Sequence, residues 1–265
     1  AINKPDLKIW KEFLANHNSP IDEVEIALVG KYVELKDSYK SIYESLIHAS
    51  AFLGKGINIK WIHSEKISQN NISNHIMNCQ GVIIAPGFGD RGIDGKIIAV
   101  QYVRENKIPF LGICLGMQVA VIEFFRNVCG KKNAHSSEMN PKTKYPIIDL
   151  MKNQLNVTNK GGTMRLGSYK CKLKKDSKCY AAYKSEYIME RHRHRYELNN
   201  NYKDELILQG MDMVGCHEDL DLVEIVEIKN HPWFIGVQFH PEYQSAFINP
   251  HPLFISFLNA GLLNK

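Results

Sequence analysis

The sequence lacks the features of several large classes of protein. No apolar run approaches the ~20 residues that a membrane-spanning helix needs, so we expect no membrane association. The first residues show no basic segment followed by an apolar core, the pattern of a signal peptide. None of the six cysteines belongs to a Cys-x-x-Cys unit, so neither a metal site nor a disulfide framework is expected. A reducing, cytoplasmic setting fits these free thiols best.

Strong charge is also missing. The net charge is +5 over 265 residues, and no continuous basic stripe suggests a nucleic-acid partner. The densest basic run is 191–195. A Gly-x-x-x-x-Gly-Lys-Ser/Thr phosphate-binding segment is absent from the sequence, so we expect no ATP loop of that kind in this chain.

Apolar periodicity predicts an α/β fold with a mainly parallel central sheet flanked by helices, because strand and helix patterns alternate as far as residue 128. Helical spacing near the N-terminus predicts a short helix over 7–14, and we expect 1–22 to be a helix and linker after a preceding domain, with the main domain over 23–265. Strands are predicted at 24–30, 57–62, 81–85, 108–113, 164–173, 214–216, 222–228 and 233–239. Further helices are predicted at 37–53, 72–77, 97–103, 117–125 and 253–263.

Two stretches interrupt this alternation. Residues 129–162 are polar and irregular, which predicts a surface excursion. Residues 174–210 predict polar turns with short helices.

The most informative stretch is 111–118, which runs from a strand through a sharp turn into a helix. Cys114 lies at the turn, and Gly112 and Gly116 stand two residues to either side. A nucleophile elbow needs this pattern, because only small flanking residues let strand and helix approach so closely. The N-terminus of the helix would favour a thiolate. The alternative is that Cys114 is a small buried apolar residue.

A second group follows the strand predicted at 233–239. His240 and Glu242 are two residues apart, so in an extended chain both point to one side. A carboxylate beside an imidazole fixes its tautomer and stabilises the imidazolium. With Cys114 they form a set of nucleophile, base and orienting acid in the chain order Cys, His, Glu.

Two backbone amides could form an oxyanion hole. The N–H of Leu115 directly follows the candidate nucleophile. The glycine-rich loop 86–92 should supply the other, and since Pro86 has no N–H, Gly87 is the predicted donor. A generic tight turn explains this loop equally well.

These motifs resemble the class I (triad) glutamine amidotransferases, which hydrolyse the side-chain amide of glutamine through a γ-glutamyl thioester and pass ammonia to a partner site. The segments 30–39, 161–167 and 191–197 narrow the resemblance to the glutaminase domains of the CTP synthase family, over roughly 22–263. The resemblance implies the class I amidotransferase (flavodoxin-like) fold, with Cys114, His240 and Glu242 as the triad.

The resemblance also implies binding roles at matching positions. Gln118 and Glu138 match positions that hold glutamine, together with Gly87 and Leu115. Arg195 matches the residue that binds the α-carboxylate of glutamine, a role suited to a bidentate guanidinium. Charge alone does not exclude Arg193.

Two arginines, Arg91 and Arg165, match positions tied to activation by GTP. As residues near a domain edge they suit an anionic effector, although ordinary surface cations would look the same.

One position departs from the family, which more often reads Pro-Gly-Gly-Phe-Gly where this chain has Ala85 to Gly89; the first glycine has become Pro86. The larger absence is the ATP- and Mg-dependent synthetase domain that aminates UTP. We therefore expect an excised C-terminal glutaminase domain, the alternative being a stand-alone subunit. We expect no cofactor of its own, and its expected partners are L-glutamine and a synthetase domain within a full-length homotetramer.

Two other functions remain open at this point. A γ-glutamyl peptidase or hydrolase of the same triad superfamily would need no partner domain. A regulatory or filament-forming module would keep the fold without catalysis, although the intact triad argues against lost activity.

Overall fold

The computed structural model describes residues 6–150 and 164–264. Its centre is a nine-stranded mixed sheet with the order β2-β1-β3-β4-β12-β11-β10-β7-β8. The strands of this sheet are β1 Glu23–Gly30, β2 Gly56–His63, β3 Gly81–Ile84, β4 Phe110–Ile113, β7 Arg165–Leu173, β8 Tyr187–His194, β10 Met211–His217, β11 Leu222–Ile228 and β12 Phe234–Val237. A separate three-stranded sheet contains β5 Ala134–Ser136, β6 Tyr145–Leu150 and β9 Tyr196–Leu198.

The first part of the sheet confirms the predicted parallel arrangement. β2, β1, β3, β4 and β12 pair in parallel. β3, β4 and β12 are buried at every position, because helices cover both faces and strands so covered are apolar on both sides. The carboxyl ends of β3, β4 and β12 therefore lie at one edge of the sheet. The loop 85–89, Cys114 and the segment that contains His240 follow these strands at that edge.

The helices are α1 Lys8–Asn18, α2 Lys40–Phe52, α3 Ile72–Ile76, α4 Ile93–Glu105, α5 Leu115–Asn127, α6 Lys178–Tyr183, α7 Lys203–Leu208 and α8 Pro252–Leu263. Two apolar clusters form the core, one on each face of the sheet. Ala27 and Val29 of β1 belong to one cluster, whereas Ile26 and Leu28 belong to the other. The predicted helices and strands of this part are confirmed, with most ends shifted by a few residues.

The second part of the sheet is antiparallel, so the expectation of a mainly parallel sheet holds only for one half. β11 pairs antiparallel with β12, and β10, β7 and β8 continue in the same way. The prediction of turns and short helices over 174–210 is wrong for β8. In β8 exposed and buried residues alternate, but the buried ones include histidines and a glutamate, which look polar in a sequence.

The prediction of an irregular surface excursion is wrong for the described part of 129–162. β5 and β6 pair with each other, and β6 pairs with β9. Ile147 and Ile148 of β6 are fully buried. Within the motif 161–167, residues 161–163 lie outside the described residues.

The N-terminal helix α1 packs on the rest of the chain. The ring of Trp10 lies 3.8 Å from that of Phe247 between centroids, and the Asn16 side chain donates a hydrogen bond of 2.9 Å to the Ala51 carbonyl. To cross a membrane, a helix would need more length and more apolar character than any helix of the described residues has.

Candidate active site

Cys114 lies at a strained turn between β4 and α5, as the sequence predicts. Its backbone has φ 52° and ψ −103°, a conformation that costs energy in a non-glycine residue. A Cβ atom on Gly112 would lie 2.7 Å from the backbone carbon of Gly116, so the two glycines are what allows strand and helix to approach. The turn holds the Cys114 side chain at the N-terminus of α5, where the helix dipole favours negative charge.

His240 and Glu242 form a buried pair, with 2.7 Å between His240 Nδ1 and Glu242 Oε1. The spacing of the two residues predicts an extended chain between them. Instead, Pro241 begins a short 3₁₀ helix, Pro241–Gln244, and the contact forms within that turn. Pro241 suits this position because its fixed φ is already that of a helix.

The electrostatics of His240 favour the protonated ring. Burial disfavours the imidazolium, but the neighbouring Cys114 sulfur and the Glu242 carboxylate together raise the pKa of His240 to about 11. His240 Nε2 is buried and has no hydrogen-bond partner among the described residues. Because Nδ1 is held by Glu242, Nε2 is the nitrogen that can exchange a proton in the site.

A pocket opens at Cys114 and is lined by four of the five predicted glutamine-binding residues; the fifth, Leu115, is not among its lining residues. Gly87, Gln118, Glu138 and Arg195 all line it with Cys114. The remaining lining residues are Phe88, Met164, His194 and Tyr196. The sequence did not identify these four, because nothing in their local pattern marks them as pocket residues.

Leu115 and Gly87 are suitably located for the predicted oxyanion hole. Leu115 is the first residue of α5, and the N–H groups of a first helical turn have no partner within the helix. Gly87 faces it across the pocket edge, since a Cβ atom on Gly87 would lie 3.5 Å from Leu115 Cδ2. The amide of Gly89, in the same loop, donates to Glu138 Oε1 at 3.4 Å.

Two buried lysines, Lys31 and Lys96, hold the loop that carries Gly87, and neither is among the predicted site residues. Lys96 donates a hydrogen bond of 2.8 Å to the Ala85 carbonyl, and Lys31 donates to the Phe88 carbonyl. Lys96 is fully buried. Burial, reinforced by the charge of Lys31, lowers the pKa of Lys96 to about 7, although the Cys114 sulfur opposes this. The loop is thus anchored on both sides of Gly87.

The strand geometry of the basic run 191–195 distinguishes Arg193 from Arg195. In β8, His192 and His194 point inward and Arg193 points outward. The Arg193 guanidinium lies 6.0 Å from the centroid of the Phe88 ring, whereas Arg195 lines the pocket. This arrangement favours Arg195 over Arg193 as the partner of a bound carboxylate.

Behind the pocket lies a buried cluster around Arg165 and Glu224, which form an ion pair of 2.5 Å. Arg165 is therefore not the surface cation that the sequence suggested. His192, His194 and Glu224 bring possible metal-ligand atoms within 4.8 Å of one another. Since Arg165 already balances the charge of Glu224, we assign no metal to this cluster.

The second predicted effector residue has different neighbours. The side chain of Arg91 is 46% exposed and lies 3.5 Å from Glu65. Its guanidinium also stacks 5.0 Å from the centroid of the Tyr32 ring. Arg91 therefore contacts Glu65 and Tyr32, whereas Arg165 contacts Glu224.

The other thiols differ from Cys114 in their surroundings. Burial raises the pKa of Cys79 to about 12 and that of Cys129 to about 11, and it also raises the pKa of Cys171, Cys179 and Cys216. These five thiols are protonated at neutral pH, which makes them poor nucleophiles.

Comparison with known proteins agrees with this site. The profile of the family described as glutamine amidotransferase class-I matches residues 34–260. The CTP synthase of Christiangramia forsetii is 58% identical over 257 residues, which are 97% of this chain and 47% of that protein. The CTP synthase of Cytophaga hutchinsonii is 55% identical over 259 residues, 98% of this chain and 48% of that protein. The chain thus spans about half the length of these curated relatives.

Among solved structures, the CTPS glutaminase domain of Trypanosoma brucei with bound acivicin superposes with a TM-score of 0.85 at 36% identity. The match covers 91% of this chain and 95% of that one. The chain therefore belongs to the class I glutamine amidotransferase family, and within that family it groups with the glutaminase domains of CTP synthases.

Proposed function

We propose that this chain hydrolyses the side-chain amide of L-glutamine at Cys114 and releases ammonia. The observation that carries the proposal is the joint geometry of the site. Cys114, at a strained elbow, lies close enough to His240 to raise the pKa of its imidazole. His240 is paired with Glu242 through Nδ1, and its Nε2 has no hydrogen-bond partner among the described residues. This is the arrangement that nucleophilic catalysis of acyl transfer needs.

The reaction follows from these groups. The Cys114 thiolate attacks the carboxamide carbon, and the Gly87 and Leu115 amides stabilise the oxyanion, each by about 3 kcal/mol. The imidazolium of His240 gives its Nε2 proton to the departing ammonia as the C–N bond breaks. Neutral His240 then takes a proton from water, which attacks the thioester and releases glutamate and the Cys114 thiolate.

The pocket offers opposite charges for the two ends of an amino acid. Arg195 would bind the α-carboxylate, because a guanidinium forks onto a carboxylate. Glu138 would bind the α-ammonium group by charge. Gln118 would contribute a hydrogen bond to the bound glutamine.

We further infer that the ammonia serves a synthetase domain that uses ATP and Mg to aminate UTP to CTP. The support is the relationship with CTP synthases about twice the length of this chain. In such an assembly, α1 would lie at the junction with the synthetase domain, and the full-length protein would be a homotetramer in the cytoplasm.

For activation by GTP, Arg91 is the better candidate for direct contact. Nearly half of its side chain is exposed, whereas Arg165 would have to leave Glu224 to reach a nucleotide. We therefore propose that Arg165 contributes to the effector response only through the buried cluster.

A glutamine analogue that carries an electrophile tests the nucleophile. We expect it to modify Cys114 alone among the six cysteines, as read by peptide mass spectrometry, and to leave Cys114→Ala unmodified. Cys171→Ala, which removes a buried thiol elsewhere, should be labelled like the wild type. Labelling that spreads over several thiols, or that survives Cys114→Ala, would refute the assignment.

The substrate class is tested by comparing two assays on the same protein. We expect ammonia release from glutamine to exceed cleavage of γ-glutamyl peptides. The reverse preference would point to a γ-glutamyl hydrolase.

A further inference from the structure

Gln238 is a fully buried amide directly behind the candidate nucleophile. It follows β12, two residues before His240, and its side chain has no exposure to solvent. Its backbone N–H donates to the Glu224 carbonyl at 2.8 Å. Burying an amide costs free energy unless its polar atoms form hydrogen bonds. The hydrogen-bond partners of the Gln238 side chain therefore indicate its role.

Those partners are Cys114 and Gln118. Gln238 Nε2 donates to the Cys114 sulfur at 3.7 Å, and Gln238 Oε1 accepts from Gln118 Nε2 at 3.2 Å. Gln118 Nε2 also donates to the Tyr196 carbonyl at 2.9 Å. One side chain therefore joins the nucleophile to a residue of the glutamine pocket.

The direction of these bonds is fixed by the Tyr196 carbonyl. A carbonyl oxygen can only accept, so the Gln118 atom that faces it must be the amide nitrogen. The second N–H of that nitrogen then needs an acceptor, which makes the Gln238 atom beside it Oε1. Gln238 Nε2 is consequently the atom directed at sulfur, and it can only donate.

We propose that Gln238 is the hydrogen-bond donor that holds the Cys114 sulfur as a thiolate and aims it into the pocket. A donor favours the charged form of its acceptor, and sulfur as a thiolate is a far better acceptor than as a thiol. The proposal rests on Cys114 being the nucleophile proposed above.

The same chain of bonds gives Gln238 a second consequence. Because both N–H groups of Gln118 are engaged by Tyr196 and Gln238, its Oε1 is the atom left to accept a hydrogen bond from a ligand. Gln238 thus also sets which atom Gln118 presents to glutamine. Loss of Gln238 should raise KM for glutamine as well as lower the reactivity of Cys114.

Two substitutions separate donation from packing. Gln238→Met keeps the length of the side chain and removes the donor. Gln238→Glu keeps the shape and puts an acceptor, with negative charge, beside the sulfur. Gln209→Met makes the same change at an exposed position on the chain and is the matched control.

The measurement is the rate of Cys114 alkylation by iodoacetamide as a function of pH, read on the Cys114 peptide. We expect the pH midpoint to rise by about one unit in Gln238→Met, with about tenfold slower alkylation at neutral pH. Gln238→Glu should raise the pH midpoint further, and Gln209→Met should leave the midpoint unchanged. A midpoint that moves by less than about 0.2 units in both Gln238 variants would overturn the proposal.

A measurement on the wild-type protein covers the case in which the variants fail to fold. The side-chain N–H resonances of Gln238 should shift with pH at the midpoint found by alkylation, and that shift should vanish in Cys114→Ala. If the Gln238 side-chain N–H resonances do not shift at that midpoint, the proposal is contradicted. If the glutamine analogue labels Cys114 but the midpoint does not depend on Gln238, only this proposal fails. If the analogue spares Cys114, the proposed function fails instead.

Discussion

Two buried histidines, His240 and His251, each pair with a glutamate, but the two rings are connected in opposite ways. His240 Nδ1 lies 2.7 Å from Glu242, and His240 Nε2 has no partner among the described residues. His251 Nε2 lies 2.8 Å from Glu190, and its Nδ1 accepts the Leu253 N–H at 3.3 Å. In the second pair both ring nitrogens are therefore occupied.

The difference shows that a His–carboxylate pair is not in itself a sign of catalysis. His251 caps the N-terminus of α8 and ties that helix to β8 through Glu190. Its bonds fix it as a structural group, because no nitrogen is left to exchange a proton. In His240, by contrast, Nε2 has no hydrogen-bond partner among the described residues, and it is the nitrogen that exchanges a proton in the proposed reaction.

Replacing each histidine in turn tests whether the two pairs differ in function, and it should give the largest difference. His240→Gln should lower ammonia release from glutamine by about 10³- to 10⁴-fold, since His240 is the proposed proton donor to the leaving ammonia. His251→Gln should change turnover per folded molecule by less than about threefold. Steady-state ammonia assays, corrected for the folded fraction by circular dichroism, give both numbers.

Equal losses in the two variants would mean that the pairs do not divide into catalytic and structural groups. Glu242→Gln provides a further check. It should follow His240→Gln in lowering turnover, because the carboxylate orients the ring and supports its charge.

The second prediction concerns stability. Glu190 accepts hydrogen bonds from Tyr183 at 2.6 Å, from Gln244 at 2.6 Å and from His251. Glu190→Gln turns one acceptor into a donor that faces other donors in a buried site, so we expect it to lower the free energy of unfolding by about 3 kcal/mol. Urea denaturation measures this change.

The control for Glu190 is an exposed acid of the same kind. Glu218 pairs with Lys172 at 2.7 Å on the surface, and Glu218→Gln should leave the unfolding midpoint almost unchanged because solvent screens such pairs. If Glu190→Gln were equally mild, the His251 pair would not stabilise the fold as its burial implies.

The two pairs also show which contacts can be predicted from the sequence and which cannot. His240 and Glu242 were found because they are two residues apart and follow a strong strand. Glu190 lies 61 residues from His251, so only the packing of β8 against α8 reveals their contact. The same limit applies to Lys96 and Gln238, whose partners come from other elements.

The fold divides in a similar way. The parallel strands β3, β4 and β12 were predicted because both their faces are buried and their sequences are continuously apolar. β8 was not predicted because its inward side chains include Glu190, His192 and His194, which are polar. These side chains form hydrogen bonds, His192 with His194 and Glu190 with His251. Periodicity in hydrophobicity cannot identify a strand whose buried face is polar.

The smallest predicted effect comes from a third buried histidine, His231, which has no carboxylate partner among the described residues. Its Nε2 lies 3.2 Å from the Val103 carbonyl, and its Nδ1 accepts the Trp233 N–H at 3.2 Å. Burial, the largest cause, lowers the pKa of His231 from 6.5 to about 4. The backbone hydrogen bonds with Val103 and Trp233 raise the pKa of His231, but they do not outweigh burial.

A lowered folded-state pKa fixes the sign of the pH dependence. Between pH 6.5 and 4 the unfolded chain binds a proton at His231 and the folded chain does not. The stabilisation is therefore complete above pH 6.5 and is lost as the pH falls. We expect the difference in unfolding free energy between wild type and His231→Gln to shrink by about 2 kcal/mol from pH 7 to pH 5, measured by urea denaturation at each pH. Groups common to both proteins cancel in this difference. A constant value would therefore show that folding does not lower the pKa of His231.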